Sequence, residues 1–216
     1  GSSVLPLSSQ KEFIDKYGIK ISNLYGLSET GPSHFDNPLE KDWIPGSIGH
    51  PLDVNECKIS DDGEMMLKGE NIFVGYHNND DLYKKTVVDG WFYTGDICQF
   101  KDKKYWYLDR KKDLIIKSGI NIQPSEVEEV IYETKDVLEC GVISIPDEIQ
   151  GEKIIAIIIK TKNANKESLK ELIKIACKKK LSNYKIPSEI VFWEALPKTL
   201  SKKISRKKIR DKYLSS

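Results

Sequence analysis

The sequence predicts an α+β fold in two parts: a β-rich lobe over residues 1–109 and a small α+β unit over 110–216. Three observations carry this. Between 45 and 108, short β-branched and aromatic runs alternate with the turn signals Pro45-Gly46, Asp61-Asp62-Gly63, Asn78-Asn79-Asp80 and Asp89-Gly90. After the charge cluster Asp109-Arg110-Lys111-Lys112-Asp113, longer apolar strands and amphipathic helices take over. Charge is also unevenly spread: residues 166–216 hold 15 Lys/Arg against 5 Asp/Glu, while 1–165 hold 19 against 28, for a total of +1.

In chain order, Lys11 to Tyr17 is amphipathic and Gly18 ends it, after which Ile19, Ile21 and Leu24 alternate as a strand. Glu56 to Ile59, Glu64 to Leu67 and Tyr105 to Leu108 read as strands, with Trp91 and Phe92 in the core. Leu114-Ile115-Ile116 is a β-branched run. Pro124 opens a helix in which Ser125 and Glu128 have capping-box spacing and Val127, Val130 and Ile131 share a face. Strands follow at about 138–145 and 153–161, joined by a polar turn over Pro146 to Gly151. Lys166 to Leu181 is a helix with Leu169, Leu172, Ile173 and Ala176 inward; Ile190 to Trp193 is a strand and Ser205 to Leu214 a basic helix.

Apolar residues make up 39% of the chain, enough for a core. The longest aliphatic run, Ile154 to Ile159, is far too short to span a bilayer. Cys57, Cys98, Cys140 and Cys177 lie 41, 42 and 37 residues apart, which suits neither a metal pair nor a disulfide scaffold. They are expected to be reduced packing residues of a cytoplasmic protein. No basic-then-apolar leader opens the chain, and Gly1-Ser2-Ser3 reads as a tag remnant or a cut inside a longer protein. The basic terminal segment suits phosphates or an acidic carrier protein, or is simply a solvated lysine-rich surface.

Four strings hold more polar and glycine-flanked detail than packing needs. Tyr25-Gly26-Leu27-Ser28-Glu29-Thr30-Gly31 offers a flat ring, a hydroxyl and a carboxylate able to take a hard cation. In Phe92-Tyr93-Thr94-Gly95-Asp96, a carboxylate that could accept from ribose hydroxyls follows a glycine. Asp109 to Glu128 carries Arg110, whose guanidinium can fork onto ribose or phosphate oxygens. Pro197 to Arg206 is a lysine-rich loop. Taken alone, each also fits an ordinary turn or exposed linker.

Taken together and in order, the strings resemble the adenylate-forming superfamily: acyl- and aryl-CoA synthetases, luciferases and peptide-synthetase adenylation domains. YGLSETG (25–31) is similar to its Tyr-Gly-x-Thr/Ser-Glu signature, GSIGHPL (46–52) and GEMMLKGENIFVGYHNND (63–80) to its glycine-framed segments, and FYTGD (92–96) to its Thr-Gly-Asp element. DRKKD with SGINIQPSEVE (109–128) resembles the hinge and loop signatures, and PKTLSKKISR (197–206) the terminal Pro-x-Thr…Gly-Lys-Ile…Arg signature. One such match is weak; six in order are not.

The resemblance implies an AMP-forming acid–thiol ligase that uses ATP, Mg²⁺ and coenzyme A, and is most like the free-standing acyl- or aryl-CoA synthetases. It implies that residues 1–109 are the β-rich end of a large adenylation domain and 110–216 a small mobile domain hinged at 110–113. Tyr25, with Gly26 beside it, would stack on adenine. Ser28 would contact the α-phosphate, Glu29 hold Mg²⁺, Asp96 bind the ribose hydroxyls, and Arg110 bind ribose or phosphate. Lys203 would bridge the substrate carboxylate and the α-phosphate. Lys112 would be the hinge, and Ser118-Gly119 would face the thiol arm. Two positions depart from the pattern: Lys202 stands where the family has glycine before the lysine, and Asp109 where glycine often precedes the arginine. The lysine assignment therefore rests on spacing from Pro197 and Thr199 and on Ile204, with Lys202 as the one-residue slip.

The family's glycine-rich phosphate loop would lie upstream of Tyr25, so this chain is expected to be a C-terminal portion unable to form acyl-AMP alone. A carrier-protein-loading enzyme (acyl or peptidyl carrier) and a non-catalytic nucleotide-binding module are the alternatives. No recognition module for nucleic acid is visible.

Overall fold

The computed structural model describes residues 5–215, so the Gly1-Ser2-Ser3 start lies outside the described residues. The chain is mixed α+β, and its internal contacts divide it into two compact units, 1–112 and 113–216.

The first unit runs α1 (Leu7–Tyr17), β1 (Leu24–Leu27), β2 (Gly31–Phe35), β3 (His50–Pro51), β4 (Asn55–Ile59), β5 (Glu64–Gly69), α2 (Asp80–Thr86), β6 (Val87–Val88), β7 (Trp91–Lys101) and β8 (Lys104–Arg110). Its strands form two sheets, β1-β2-β3 and β4-β5-β7-β6, with β8 also paired to β7; every pairing is antiparallel. Ile48, Met65, Leu67 and Cys98 form the buried centre, flanked by Tyr25, Ile59, Tyr105 and Tyr107. Phe92 is buried with them as expected, whereas Trp91 is half-exposed under the Lys58 ammonium, 3.9 Å from its ring. Lys104 is completely buried, its Nζ 3.3 Å from both Asp36 and Glu40 and 3.7 Å from Asp42. That ammonium, also 3.4 Å from His50 Nε2, supplies to the Glu40–Asp42–His50 group the positive charge that a metal ion would otherwise bring.

Two sequence expectations fail here for local reasons. Residues 19–23 alternate in polarity yet lie outside any strand; pairing starts at Leu24, so Tyr25 and Gly26 belong to the strand rather than to a loop after it. Asn78-Asn79-Asp80 is only partly a turn. Asn79 caps α2, its Oδ1 accepting from Leu82 N at 3.2 Å, with Asp80 and Asp81 in the first turn and Lys84 and Lys85 in the last.

A 3₁₀ turn, Lys111–Asp113, leads into the second unit: β9 (Ile115–Lys117), β10 (Ile120–Ile122), α3 (Pro124–Tyr132), β11 (Val137–Asp147), β12 (Gly151–Lys160), α4 (Lys166–Lys180), β13 (Glu189–Phe192) and α5 (Arg206–Leu214). β11 and β13 flank β12, antiparallel and parallel respectively. The run Ile154–Ile159 is continuous because β12 is covered on both faces. Ile154, Ala156 and Ile158 pack with Val127 and Ile131 of α3 and Leu169 and Ile173 of α4; Ile155 and Ile157 pack with Leu196 and with Ile209 of α5. Each buried isoleucine contributes about 1.5–3 kcal/mol.

The N-terminus of α3 begins one residue before the expected Ser125–Glu128 pair. Gln123 is the N-cap of α3 and Ser125 lies inside its first turn, while the Glu128 carboxylate turns to Val142 N and Arg206. On α4 the inward stripe is Leu169, Ile173 and Cys177, with Ala176 packed beside it; Leu172 is 53% exposed. The four cysteines are free thiols, three of them buried. Among the described residues no helix is long and apolar enough to cross a membrane.

Candidate active site

In the first unit the candidate residues gather around the β1–β2 hairpin. β1 bulges between Tyr25 and Gly26, and a Cβ on Gly26 would lie 2.0 Å from Gly31 O, so only glycine lets the strands close there. Ser28 and Glu29 occupy the turn. It is locked by Thr30, whose hydroxyl accepts from Leu27 N at 3.1 Å and donates to Gly31 O at 2.8 Å. The segment after β5 braces the turn from outside: Asn71 donates to Thr30 O at 3.0 Å, Phe73 N to Glu29 O at 2.8 Å, and Tyr76 OH to Glu29 Oε1 at 3.0 Å. Two distant motifs thus meet on one carboxylate.

Asp96 joins the hairpin to the strands behind it. Tyr25 OH donates to its Oδ2 at 2.5 Å and Arg110 Nε sits 2.9 Å from its Oδ1; the Asp96 side chain is 1% exposed. Asp96 and Arg110 face each other across β7–β8, which fixes the pair. Thr94 aims this stretch, donating to Met65 O at 2.7 Å and accepting from Asp96 N at 3.1 Å. Burial pushes the Asp96 carboxyl up to about 6, against the opposing pull of Arg110 and Tyr25. Burial next to that carboxylate raises the Tyr25 hydroxyl far above its usual range, so it is a donor at all working pH. The Tyr25 ring stands edge-on to His34, centroids 5.7 Å apart, and burial lowers that histidine to about 4, leaving it neutral.

Gly95 sits between two hollows. Its φ of +70° is left-handed, and nothing lies within 4 Å of where a Cβ would project. A cleft of about 430 Å³ is lined by Glu29, Tyr76, Lys85, Thr94, Gly95 and Lys111, among others. A second, of about 340 Å³, is lined by Gly95, Arg110, Lys111 and Lys112. Lys111 Nζ reaches Asp62 at 2.7 Å and Glu64 at 2.8 Å, and these bonds raise it to about 12. The structure therefore joins Tyr25, Asp96 and Arg110 directly, puts Glu29 on the adjoining cleft, and leaves Ser28 exposed at the hairpin tip. Tyr76, Thr94 and Lys111 join the site unannounced. Tyr76 and Thr94 lay inside quoted motifs and Lys111 inside the charge cluster, but nothing in the sequence gave their contacts.

The remaining candidates lie at the division and in the second unit. Lys112 is exposed in the 3₁₀ turn and is the last residue of the first unit. Ser118 and Gly119 form the exposed turn of the β9–β10 hairpin, both with positive φ, and Ser118 N donates to Gln150 O at 2.8 Å. Lys203 is exposed in a tight loop closed by Lys202 N to Thr199 O at 3.0 Å and Thr199 N to Lys203 O at 2.8 Å. Lys202 takes φ +62°, the left-handed conformation that a glycine adopts freely.

Two family models match the chain. Residues 1–77 match the AMP-binding enzyme model and residues 126–203 the AMP-binding enzyme C-terminal domain model. The chain belongs to the adenylate-forming superfamily. Similar members include a 2-succinylbenzoate–CoA ligase of Listeria monocytogenes, 37% identical over 214 residues (98% of this chain, 44% of that one). A long-chain-fatty-acid–CoA ligase of Bacillus subtilis is 34% identical over 221 residues (97% and 39%). Among solved structures, the Bacillus subtilis o-succinylbenzoate–CoA synthetase with its acyl-adenylate intermediate superposes with a TM-score of 0.84 at 32% identity (98% and 45%); the same enzyme has also been solved with ATP and a magnesium ion. The chain thus spans less than half the length of these adenylate-forming relatives.

Proposed function

We propose that this chain supplies part of the nucleotide platform and the small terminal domain of an AMP-forming acid–thiol ligase acting on a carboxylic acid, ATP and coenzyme A in the cytoplasm. The observation that carries this reading is the chain of contacts Tyr25–Asp96–Arg110 beside a polar cleft bearing Glu29.

A carboxylate resists nucleophiles because it is anionic and would expel oxide. Its oxygen attacks the α-phosphorus of ATP, forming an O–P bond as pyrophosphate leaves; the thiolate sulfur of CoA then attacks the acyl carbon and AMP leaves. The protein's share is positioning and charge neutralisation. The Tyr25 ring, held by Asp96, gives the adenine a fixed face. Arg110, oriented by the same carboxylate, reaches the ribose or a phosphate. Tyr25 holds Asp96 Oδ2, while Oδ1, ion-paired to Arg110 but accepting no hydrogen bond, is the oxygen left to accept from a ribose hydroxyl. Ser28, exposed at the hairpin tip, donates to the α-phosphate. The Glu29 carboxylate is a hard oxygen donor on an open polar cleft, which suits Mg²⁺ completing its shell with water and phosphate oxygens; the ion would neutralise phosphate charge.

Lys203 delivers its ammonium between the acid and the α-phosphate. The left-handed Lys202 supports this register, since the turn places the glycine-type residue immediately before Lys203. Lys112 is the pivot, and the Ser118–Gly119 turn the face offered to the thiol arm.

In the full-length protein, Lys203→Ala should abolish most substrate-dependent exchange of pyrophosphate into ATP while largely sparing transfer from supplied acyl-AMP to CoA. Equal loss of both half-reactions would overturn the assignment. Nucleotide binding with no exchange for any of a panel of carboxylic acids would favour the non-catalytic module, and transfer only to a carrier-protein thiol would replace CoA as acceptor.

A further inference from the structure

We infer that α5 is the strut that sets both working loops of the second unit, with Arg206 anchoring the base of the Lys203 loop and Arg210 anchoring the Ser118–Gly119 hairpin. The two arginines are one turn apart and so project from the same side of the helix.

Arg206 forks onto Glu128, Nη2 to Oε2 at 2.8 Å and Nε to Oε1 at 3.2 Å, and its Nη1 reaches Asp113 at 3.3 Å. Glu128 in turn accepts Val142 N at 2.8 Å, so the guanidinium is tied to α3, to the central sheet and to the first residue of the unit. Ser205, immediately before it, closes the lysine loop by donating its N–H to Pro197 O at 3.0 Å. Only two residues separate Lys203 from this anchor.

Arg210 works in the other direction. Its Nε donates to Ser144 O at 2.8 Å and its Nη2 to Ser144 Oγ at 3.1 Å. That hydroxyl donates to Glu152 Oε1 at 2.7 Å, and Glu152 Oε2 accepts Ile116 N at 2.6 Å, two residues before Ser118. The Arg210 relay ends beside the Ser118–Gly119 turn, while the Arg206 relay starts from the helix residue that follows the lysine loop and ties it to α3 and Asp113; neither closes on the other. A unit with an isoleucine-packed centre on both faces of its sheet does not need either of them merely to fold. They are positioning residues, and because the relays meet the same helix and the same strand β11 but share no side chain, their effects are separable.

The inference rests on the ligase reading, so the Lys203→Ala control is run beside it in the full-length protein. Arg206→Met should slow pyrophosphate exchange about tenfold or more and leave acyl-AMP-to-CoA transfer within about twofold. Arg210→Met and Glu152→Ala should do the reverse and raise KM for CoA, with Arg210→Lys restoring part of the transfer rate. Parallel loss of both half-reactions in all variants, or no change in either, would overturn the proposal. Should the Met variants fail to fold, Ser144→Ala and Glu152→Gln keep the packing and can be read by hydrogen exchange. Faster exchange at the amides of Ile116 and Ser118 with an unchanged 198–204 loop is expected, and uniform change would overturn the idea. If Lys203→Ala leaves pyrophosphate exchange intact, the ligase reading fails by itself and the amide measurement alone decides the clamps.

Discussion

At Gly26 an added methyl group would meet a carbonyl oxygen at 2.0 Å, a distance no relaxation of one side chain can relieve. Gly26→Ala should therefore destabilise the fold by about 2 kcal/mol or more, read as a lower denaturant midpoint with unchanged slope, and should loosen Tyr25 with it. Asp96 makes a second prediction, in pH. Its folded value of about 6 lies above the ordinary 3.8, so the folded chain keeps a proton there that the unfolded chain has released. For this group alone, stability is greatest below about pH 4 and is lost as pH rises through 6. The ion pair with Arg110 follows the opposite course, forming as the proton leaves. AMP affinity should accordingly fall as pH drops through 6, and Asp96→Asn should bind weakly with that pH dependence removed. A wild-type affinity flat from pH 5 to 7 would contradict this. Tyr25, Asp96 and Arg110 stood out in the sequence as a ring, a carboxylate and a guanidinium within motif strings. Their bonding to one another was not legible there, since it depends on strand register and on bulges in β1 and β7 that only the assembled sheets impose.

Short elements were the hardest to read. α2 has seven residues and opens on the same Asn-Asp chemistry that marks turns, so its cap and its turn signal are indistinguishable in sequence. The Ser125–Glu128 spacing fitted a capping box, but Pro124 takes the first helical position and Glu128 has a stronger partner in Arg206. Where a pattern was long it held: α4 and the β11–β12 hairpin were both visible from periodicity and a polar turn. α4 offers a graded test. Asn165 caps it, accepting Ser168 N at 3.0 Å, so Asn165→Ala should cost about 1 kcal/mol, whereas Ile173→Ala, in the closed core, should cost about 2–5 kcal/mol. Comparable losses in thermal unfolding would mean that the helix is held by its end rather than by its buried stripe.

For the molecule as a whole, the contacts divide the chain after Lys112, inside the charge cluster that separates the two textures of the sequence. Residues 113–216 contain two apolar clusters of their own and both arginine relays, with no missing partner in either. Expressed alone, this segment should fold and unfold in a single cooperative transition with dispersed amide resonances; a collapsed state with narrow dispersion would show that it depends on the first unit.

β12 acquires its two neighbours at different times. β11 precedes it in the chain, but β13 begins at Glu189, well after the isoleucine run has left the ribosome. Until then, a six-residue aliphatic edge has one side unprotected, the kind of window through which nascent chains stick to one another. Lys153 and Lys160 stand at its two ends. Their like charges oppose such association between molecules, as charged residues flanking an aliphatic strand do.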